Sequence, residues 1–189
     1  MLKQMPPEES RTRSRTRRAI LDAAVTVLSE DHSAPLSQVA DAAQVARSTL
    51  QRYFADRAAL LAALSAYASE RIDEAARQAR TDEGPPLDAL RRFVHELFDL
   101  GDIVMLVSPG WEDEQDGDPE SATDVALCAL LARGRAEEAL DDRLTDAWIE
   151  QLLWATLYTA WTYVRDHGAT KHDSLTACLT TLTKAVRAE

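Results

Sequence analysis

A chain of 189 residues with a formal net charge of −11 is long enough for one ordinary domain, or for a small module joined to a larger one. Six glycines and seven prolines in a chain that is 46% hydrophobic exclude collagen-like and low-complexity classes, and two cysteines exclude a disulfide framework. No stretch approaches the eighteen apolar residues of a membrane span, and "MLKQMPPEESRTRSRTRR" lacks a signal-peptide core, so the expected location is the cytoplasm. The charge is unevenly spread. Residues 1–60 hold nine Lys and Arg against seven Asp and Glu, whereas the remainder holds twelve against twenty-five. A basic end on an acidic body suits an end that meets a polyanion.

The elements follow in chain order. Pro6, Pro7 and mixed charge make residues 1–10 read as a disordered lead-in. A first helix is expected from about Thr12–Ser14 to Ser29–Asp31, because Ile20, Ala24, Val27 and Leu28 recur at helical spacing, with Leu21 and Val25 widening the stripe. "SAPLSQVADAA" offers Ser33 as a cap, Pro35 near the first helical position and Leu36, Val39, Ala40 and Ala43 as an apolar face. A break at Gln44 and Val45 precedes a third helix from Arg47 to about Tyr53. A longer helix runs from Asp56 to about Ala79, banded by Leu60, Leu61, Leu64, Tyr67, Ala68 and Ile72. "TDEGPP" is a boundary, after which helices are expected over 87–106, 120–140, 142–166 and 172–187. With no strand-like alternation the chain reads as all-α. Its division is expected at 1–60 and 61–189.

Three short helices, the second and third separated by a tight turn, match a helix-turn-helix whose later helix enters the major groove. In "ARSTLQRYF", Leu50 and Phe54 lie four apart and can face a small core with Ile20 and Val39. That leaves Arg47, Ser48, Gln51 and Arg52 outward, flanked by Thr49 and Tyr53, with no carboxylate among them. Arginine forks onto guanine or phosphate, glutamine bridges the adenine edge, and hydroxyls serve either. Arg57 and an arm of Arg11, Arg13, Arg15, Arg17 and Arg18 add charge for the DNA backbone or an adjacent minor groove.

The stretch "RAILDAAVTVLSED…PLSQVADAAQVARSTLQRYFADRAALLAAL", roughly residues 15–64, resembles the N-terminal module of the TetR transcriptional regulators. Ile20, Ala23 and Ala24 match the first helix of that family. Val39, Ala40, Ala43, Gln44, Val45 and Ala46 stand on "IAxxAGVS", and Thr49, Leu50, Gln51, Arg52, Tyr53 and Phe54 on "TLYxHF", with Asp56 and Arg57 on the polar-basic helix start. The resemblance implies DNA contacts from Arg47, Ser48, Thr49, Gln51, Arg52, Tyr53 and Arg57, with Leu50 and Phe54 structural. Two residues depart from the pattern. Gln44 replaces the usual glycine at a turn expected to need positive φ, and Ala46 replaces the usual serine cap, each costing about 1 kcal/mol. Gln51 stands where tyrosine is frequent, so no family operator sequence is carried across.

The larger part is expected to bind an effector and to dimerise. Leu153, Leu157, Ala160 and Val164 form one stripe of the 142–166 helix, and Trp154, Tyr158 and Trp161 a second, more than one face can bury. Leu175, Leu179, Leu182 and Val186 on the last helix offer a partner surface, and a four-helix seam with a second copy is what the resemblance also implies. A homodimer presents two recognition helices about 34 Å apart, one DNA turn. Aromatic groups with polar tips suit small-molecule sites, which points to Phe93, His95, Phe98, Met105, Trp111, Trp148, Trp154, Tyr158 and Trp161 as pocket candidates, with core packing as the competing role. The acidic body favours a cationic or neutral lipophilic effector.

Other chemistry finds little support. In "EDEQDGDPE", Glu112, Glu114, Asp116 and Gly117 imitate a calcium loop, but Thr123 stands at the twelfth position where a bidentate glutamate belongs. His167 and His172, beside Asp166 and Asp173, are explained by Gly168 as a helix stop and Asp173 at a helix start. Cys128 and Cys178 read as buried thiols. Without a phosphate loop, a nucleophile elbow or a metal-spaced Cys/His set, neither enzyme, metal nor cofactor is expected. The expected function is a ligand-responsive, sequence-specific DNA-binding repressor released from operator DNA by a small molecule. The alternative is a helical dimer that has lost DNA binding and works through protein contacts.

Overall fold

The computed structural model describes residues 7–107 and 121–188. Among them the chain forms nine helices: α1 (Pro7–Glu30), α2 (Leu36–Ala42), α3 (Arg47–Tyr53), α4 (Arg57–Gln78), α5 (Pro86–Phe98), α6 (Gly101–Val107), α7 (Ala122–Ala136), α8 (Asp146–His167) and α9 (Lys171–Val186). One antiparallel bridge, Leu140 to Arg187, is the extent of β pairing among those residues. The chain divides into compact units Met1–Ala68 and Ser69–Glu189. This boundary falls inside α4 and not at residue 60, because Leu60, Leu64 and Ala68 are buried in the first unit and the Tyr67 hydroxyl donates to Asp22 Oδ1 of α1 at 2.6 Å.

The first unit closes on Ile20, Leu21, Ala24, Val25 and Leu28 of α1, Val39 and Ala40 of α2, and Leu50 and Phe54, all buried. Helix α1 starts at Pro7, about one and a half turns before the expected position, so Pro7 to Ser10 are helical and not a loose lead-in. Ser33 does not cap α2. Its amide and hydroxyl both donate to Asp31 Oδ1, at 2.8 and 2.6 Å, and Pro35 takes the capping position without a side-chain bond. Those two bonds, the hydroxyl's first, hold the Asp31 carboxyl below the usual carboxylate range.

In the second unit α5 packs on α7, α8 and α9, and α8 on α9. The core is built from Leu90, Phe93, Val94 and Leu97 of α5, Leu127, Leu130 and Leu131 of α7, and Ile149, Leu153 and Leu157 of α8. The expected helix over 87–106 is two helices. The ladder restarts after Asp99, where Ile103 and Val104 both donate to Leu100 O, at 2.8 and 3.0 Å. Gly101 is required there, since a Cβ on it would lie 1.8 Å from the Trp161 ring. Helix α8 begins four residues later than expected, at Asp146, with Thr145 as its side-chain cap. It stops at Gly168, whose φ of +66° is the left-handed geometry of a helix terminator. Helix α7 opens with a reciprocal capping box between Ser121 and Asp124.

The turn after α4 is closed by two arginines. Arg92 Nε donates to Ala79 O at 2.9 Å, and its Nη2 donates to Arg80 O and Glu83 O at 2.9 and 2.6 Å, while Arg133 Nη1 donates to Asp82 O. These guanidinium groups bond to backbone carbonyls of the turn that follows α4.

Candidate nucleic-acid interface and pairing face

Helix α3 is set by a tight turn. Gln44 N donates to Asp41 O at 3.0 Å and Val45 N to Ala40 O at 2.9 Å, with Gln44 at φ 54°. A glutamine therefore occupies the left-handed geometry that glycine adopts without strain. Ala46 is the N-cap residue and makes no side-chain bond, so only its carbonyl serves the first turn, accepting from Thr49 N and Leu50 N at 2.8 and 3.1 Å.

Leu50 and Phe54 are turned inward, fully or nearly fully buried, which orients the rest of the helix. Arg47, Ser48, Gln51 and Arg52 are exposed, Thr49 and Tyr53 half-buried, and the first turn contains no acid. The outer arc thus presents two guanidinium groups, a carboxamide and a hydroxyl on a rigid helix. The Arg52 guanidinium lies 5.8 Å from the Tyr53 ring centre, and that of Arg17, reaching from α1, lies 5.5 Å from the Phe54 ring centre. Arg17 is thereby held beside the end of α3. Arg11, Arg13, Arg15 and Arg18 are exposed along α1, so these cations ride on a helix and do not form a loose arm.

Arg57 is a correction. Instead of projecting toward phosphate, its guanidinium donates from Nη1 to Ala34 O at 2.6 Å and from Nη2 to His32 O. It ties the start of α4 to the loop between α1 and α2, and the family motif gave no sign of this use.

The second unit corrects two further expectations. Leu153, Leu157, Leu182 and Val186, expected in a dimer seam, are buried within the single chain and form its own core. Val164, Leu175 and Leu179 are half-buried. What lies outward between α8 and α9 is a groove of about 340 Å³ lined by Leu152, Ala155, Thr156, Thr159 and Tyr163 of α8 and Ala177 and Thr181 of α9. Ser174 Oγ donates to Ala160 O at 2.5 Å beneath it, locking the two helices together. The groove is mostly small residues, which allow another helix to approach closely. Thr156 and Thr181 each adjoin a core leucine, Leu157 and Leu182, whose stripe dominates the sequence pattern.

The aromatic candidates do not form one lining. Phe93 is wholly enclosed whereas Trp148 is 59% exposed, and His95 is also exposed. Phe98 and Trp161 are committed to each other, with ring centres 5.1 Å apart and Trp161 Nε1 donating to Phe98 O at 2.9 Å. The Lys171 ammonium lies 4.7 Å from the Trp161 ring centre. Both residues are accounted for by packing. Met105 and Trp154 are half-buried and Tyr158 is 40% exposed, while Trp111 and the acidic stretch tested for calcium, up to residue 120, lie outside the described residues. Among the described residues no group of His, Cys, Asp and Glu is arranged to hold a metal, and no helix is long and apolar enough to cross a membrane. Cys178 is buried under the groove, and burial pushes its thiol up to about 11, whereas Cys128 is exposed, contrary to expectation.

Comparison with known proteins agrees with this geometry. Residues 20–64, which span the helix-turn-helix, match the family model described as bacterial regulatory proteins, tetR family. The chain is 36% identical to the HTH-type transcriptional repressor LfrR of Mycolicibacterium smegmatis over 186 residues, covering 96% of this chain and 95% of that protein. The crystal structure of LfrR in complex with proflavine superposes with a TM-score of 0.71 at 35% identity, covering 89% of this chain and 95% of that one. A TetR family regulator from Marinobacter aquaeolei, 19% identical, shares the fold with a TM-score of 0.72 over 95% of this chain and 100% of that one. With the helix-turn-helix matched and a relative of this identity aligned along nearly the whole chain, the protein belongs to the TetR family of bacterial transcriptional regulators.

Proposed function

We propose that this regulator is a homodimeric repressor that holds operator DNA through the outer face of α3 and releases it when a small cationic aromatic molecule binds the second unit. The observation that carries the DNA half is the arc of Arg47, Ser48, Gln51 and Arg52, exposed on a helix whose opposite side is anchored by Leu50 and Phe54. Gln51 and the arginines serve as base readers, while Arg15 and Arg17 on α1 and the Ser48, Thr49 and Tyr53 hydroxyls serve phosphate. Operator binding places the protein in the cytoplasm, and its role is that of a switch and not of a catalyst.

Two observations support the ligand half. The excess of acid beyond residue 60 favours cations, and the similar repressor LfrR has been crystallised with proflavine, a flat aromatic cation. Met105, Trp111, Trp154 and Tyr158 remain the candidates for stacking on such a molecule. The groove between α8 and α9 is the surface on which a second copy packs, because its small side chains let paired helices approach closely and a two-fold arrangement supplies the second recognition helix.

The test has two arms. Calorimetric titration of the DNA-free protein with proflavine is expected to give saturable one-to-one binding per subunit. Gel shifts with the duplex flanking the protein's own gene, at fixed salt, are expected to show specific binding. Absence of any preference over a scrambled duplex would overturn the DNA assignment, and absence of proflavine binding would overturn the ligand class alone.

A further inference from the structure

Resting on the reading of a ligand-responsive repressor, the geometry points to the Asp73–Thr123 pair as the link through which the ligand-binding unit positions α4, and hence as a positioning pair for the switch. Thr123 is 4% exposed, at the second position of α7. Its backbone N–H and its hydroxyl both donate to a single oxygen, Asp73 Oδ1, at 3.0 and 2.6 Å. Asp73 stands on α4, within the second unit and five residues past the unit boundary, on the same unbroken helix that begins at Arg57 in the first unit.

The bond pair is directional and short-ranged. A carboxylate accepting two donors from the free end of a helix is a charge-assisted contact, stronger than a neutral one, and it tolerates little displacement along either helix axis. Leucine contacts of α4 would allow sliding; this pair does not. The far end of α4 is fixed as well, since Arg92 clasps Ala79 O and Arg80 O. Helix α4 is therefore tied at its end and again at Asp73, with the second tie made to the first turn of α7. Ser121 and Asp124 hold that turn rigid through their reciprocal caps, so movement of the start of α7 is carried to α4 and not absorbed locally. The ordinary explanation of such a contact is helix capping for stability. Capping of α7 is already supplied by the Ser121 and Asp124 box, which leaves the bond across to α4 as an additional constraint.

The experiment compares wild type with Thr123→Val, which keeps shape and the backbone bond but removes the hydroxyl, Thr123→Ser, which restores it, and Asp73→Ala. Operator affinity is measured with and without saturating proflavine, and proflavine affinity is measured without DNA. Proflavine also stacks into duplexes, but that effect is common to all variants and cancels from comparisons among them. Thr123→Val is expected to keep ligand-free DNA affinity and DNA-free proflavine affinity within about twofold. It should reduce the ratio of the two operator constants by at least about fivefold, the factor an ordinary hydrogen bond is worth and a floor for one made to a carboxylate, with Thr123→Ser restoring it. Loss of a purely stabilising cap would lower the melting temperature and leave the ratio alone. A wild-type ratio in both Thr123→Val and Asp73→Ala overturns the proposal.

A second readout needs no effector. Operator binding is expected to change amide exchange at residues 122–125 in wild type, and Thr123→Val is expected to abolish that change. If proflavine fails to bind, the ligand class is wrong but the exchange measurement still decides the link, and unchanged exchange in wild type overturns it.

Discussion

Gln44 and Ala46 show what single residues contribute to the head. Gln44 sits at φ 54° without the freedom of glycine, and Ala46 leaves the first turn of α3 without a side-chain acceptor. Gln44→Gly is expected to stabilise the protein by about 0.5–1 kcal/mol and Ala46→Ser by about 1 kcal/mol, read from urea midpoints at constant m-value. Both departures were legible in the sequence because a turn motif fixes which position needs positive φ. The cysteines were not legible in the same way. Cys128 and Cys178 both sit in apolar stretches, and only packing separates the exposed thiol from the one raised to about 11. Iodoacetamide at pH 8 is expected to modify Cys128 and spare Cys178, which mass spectrometry of tryptic peptides would check. The sign for stability follows from the same shift. A thiol kept protonated by the fold contributes stability below about pH 9 that is lost as pH rises toward 11.

Among the elements, helix existence was readable from periodicity, while ends and junctions depended on contacts the pattern does not carry. The stripe of α1 and the short length of α3 came directly from apolar spacing. The division between α5 and α6 did not, because what forces it is the Trp161 ring lying on Gly101 from a residue sixty positions away. Arg57 fails for a similar reason: the motif records a basic residue there, but only the fold shows its fork spent on Ala34 O and His32 O. Arg57→Ala is accordingly expected to cost about 1–3 kcal/mol of stability, since two loop carbonyls, that of Ala34 part-buried, lose charged donors, and to leave the slope of DNA affinity against salt unchanged. Arg15→Ala and Arg17→Ala should behave oppositely, each lowering the slope by about 1 with little loss of stability.

At the level of the whole molecule, the all-α class, the head and the family were legible in the sequence, whereas the burial of the α8 and α9 leucines in the chain's own core was not. Large leucines advertise burial without saying against what, and Leu153, Leu157, Leu182 and Val186 are claimed by the chain's own core. In the proposed dimer the seam falls to the small residues between α8 and α9. Ala177→Arg, which places a bulky charge in that groove, is expected to yield monomers by sedimentation and to weaken operator binding by at least about a hundredfold while the head stays folded. The account turns on base reading by the outer arc of α3. Its most direct measurement is the affinity of wild type and of Gln51→Ala for the operator and for a scrambled duplex across a salt series. Wild type should prefer the operator by about a thousandfold or more, and Gln51→Ala should shrink that preference by about five- to a hundredfold at an unchanged salt slope. Equal affinity of the wild-type protein for both duplexes, or a preference untouched by Gln51→Ala together with Arg47→Ala and Arg52→Ala, would contradict it.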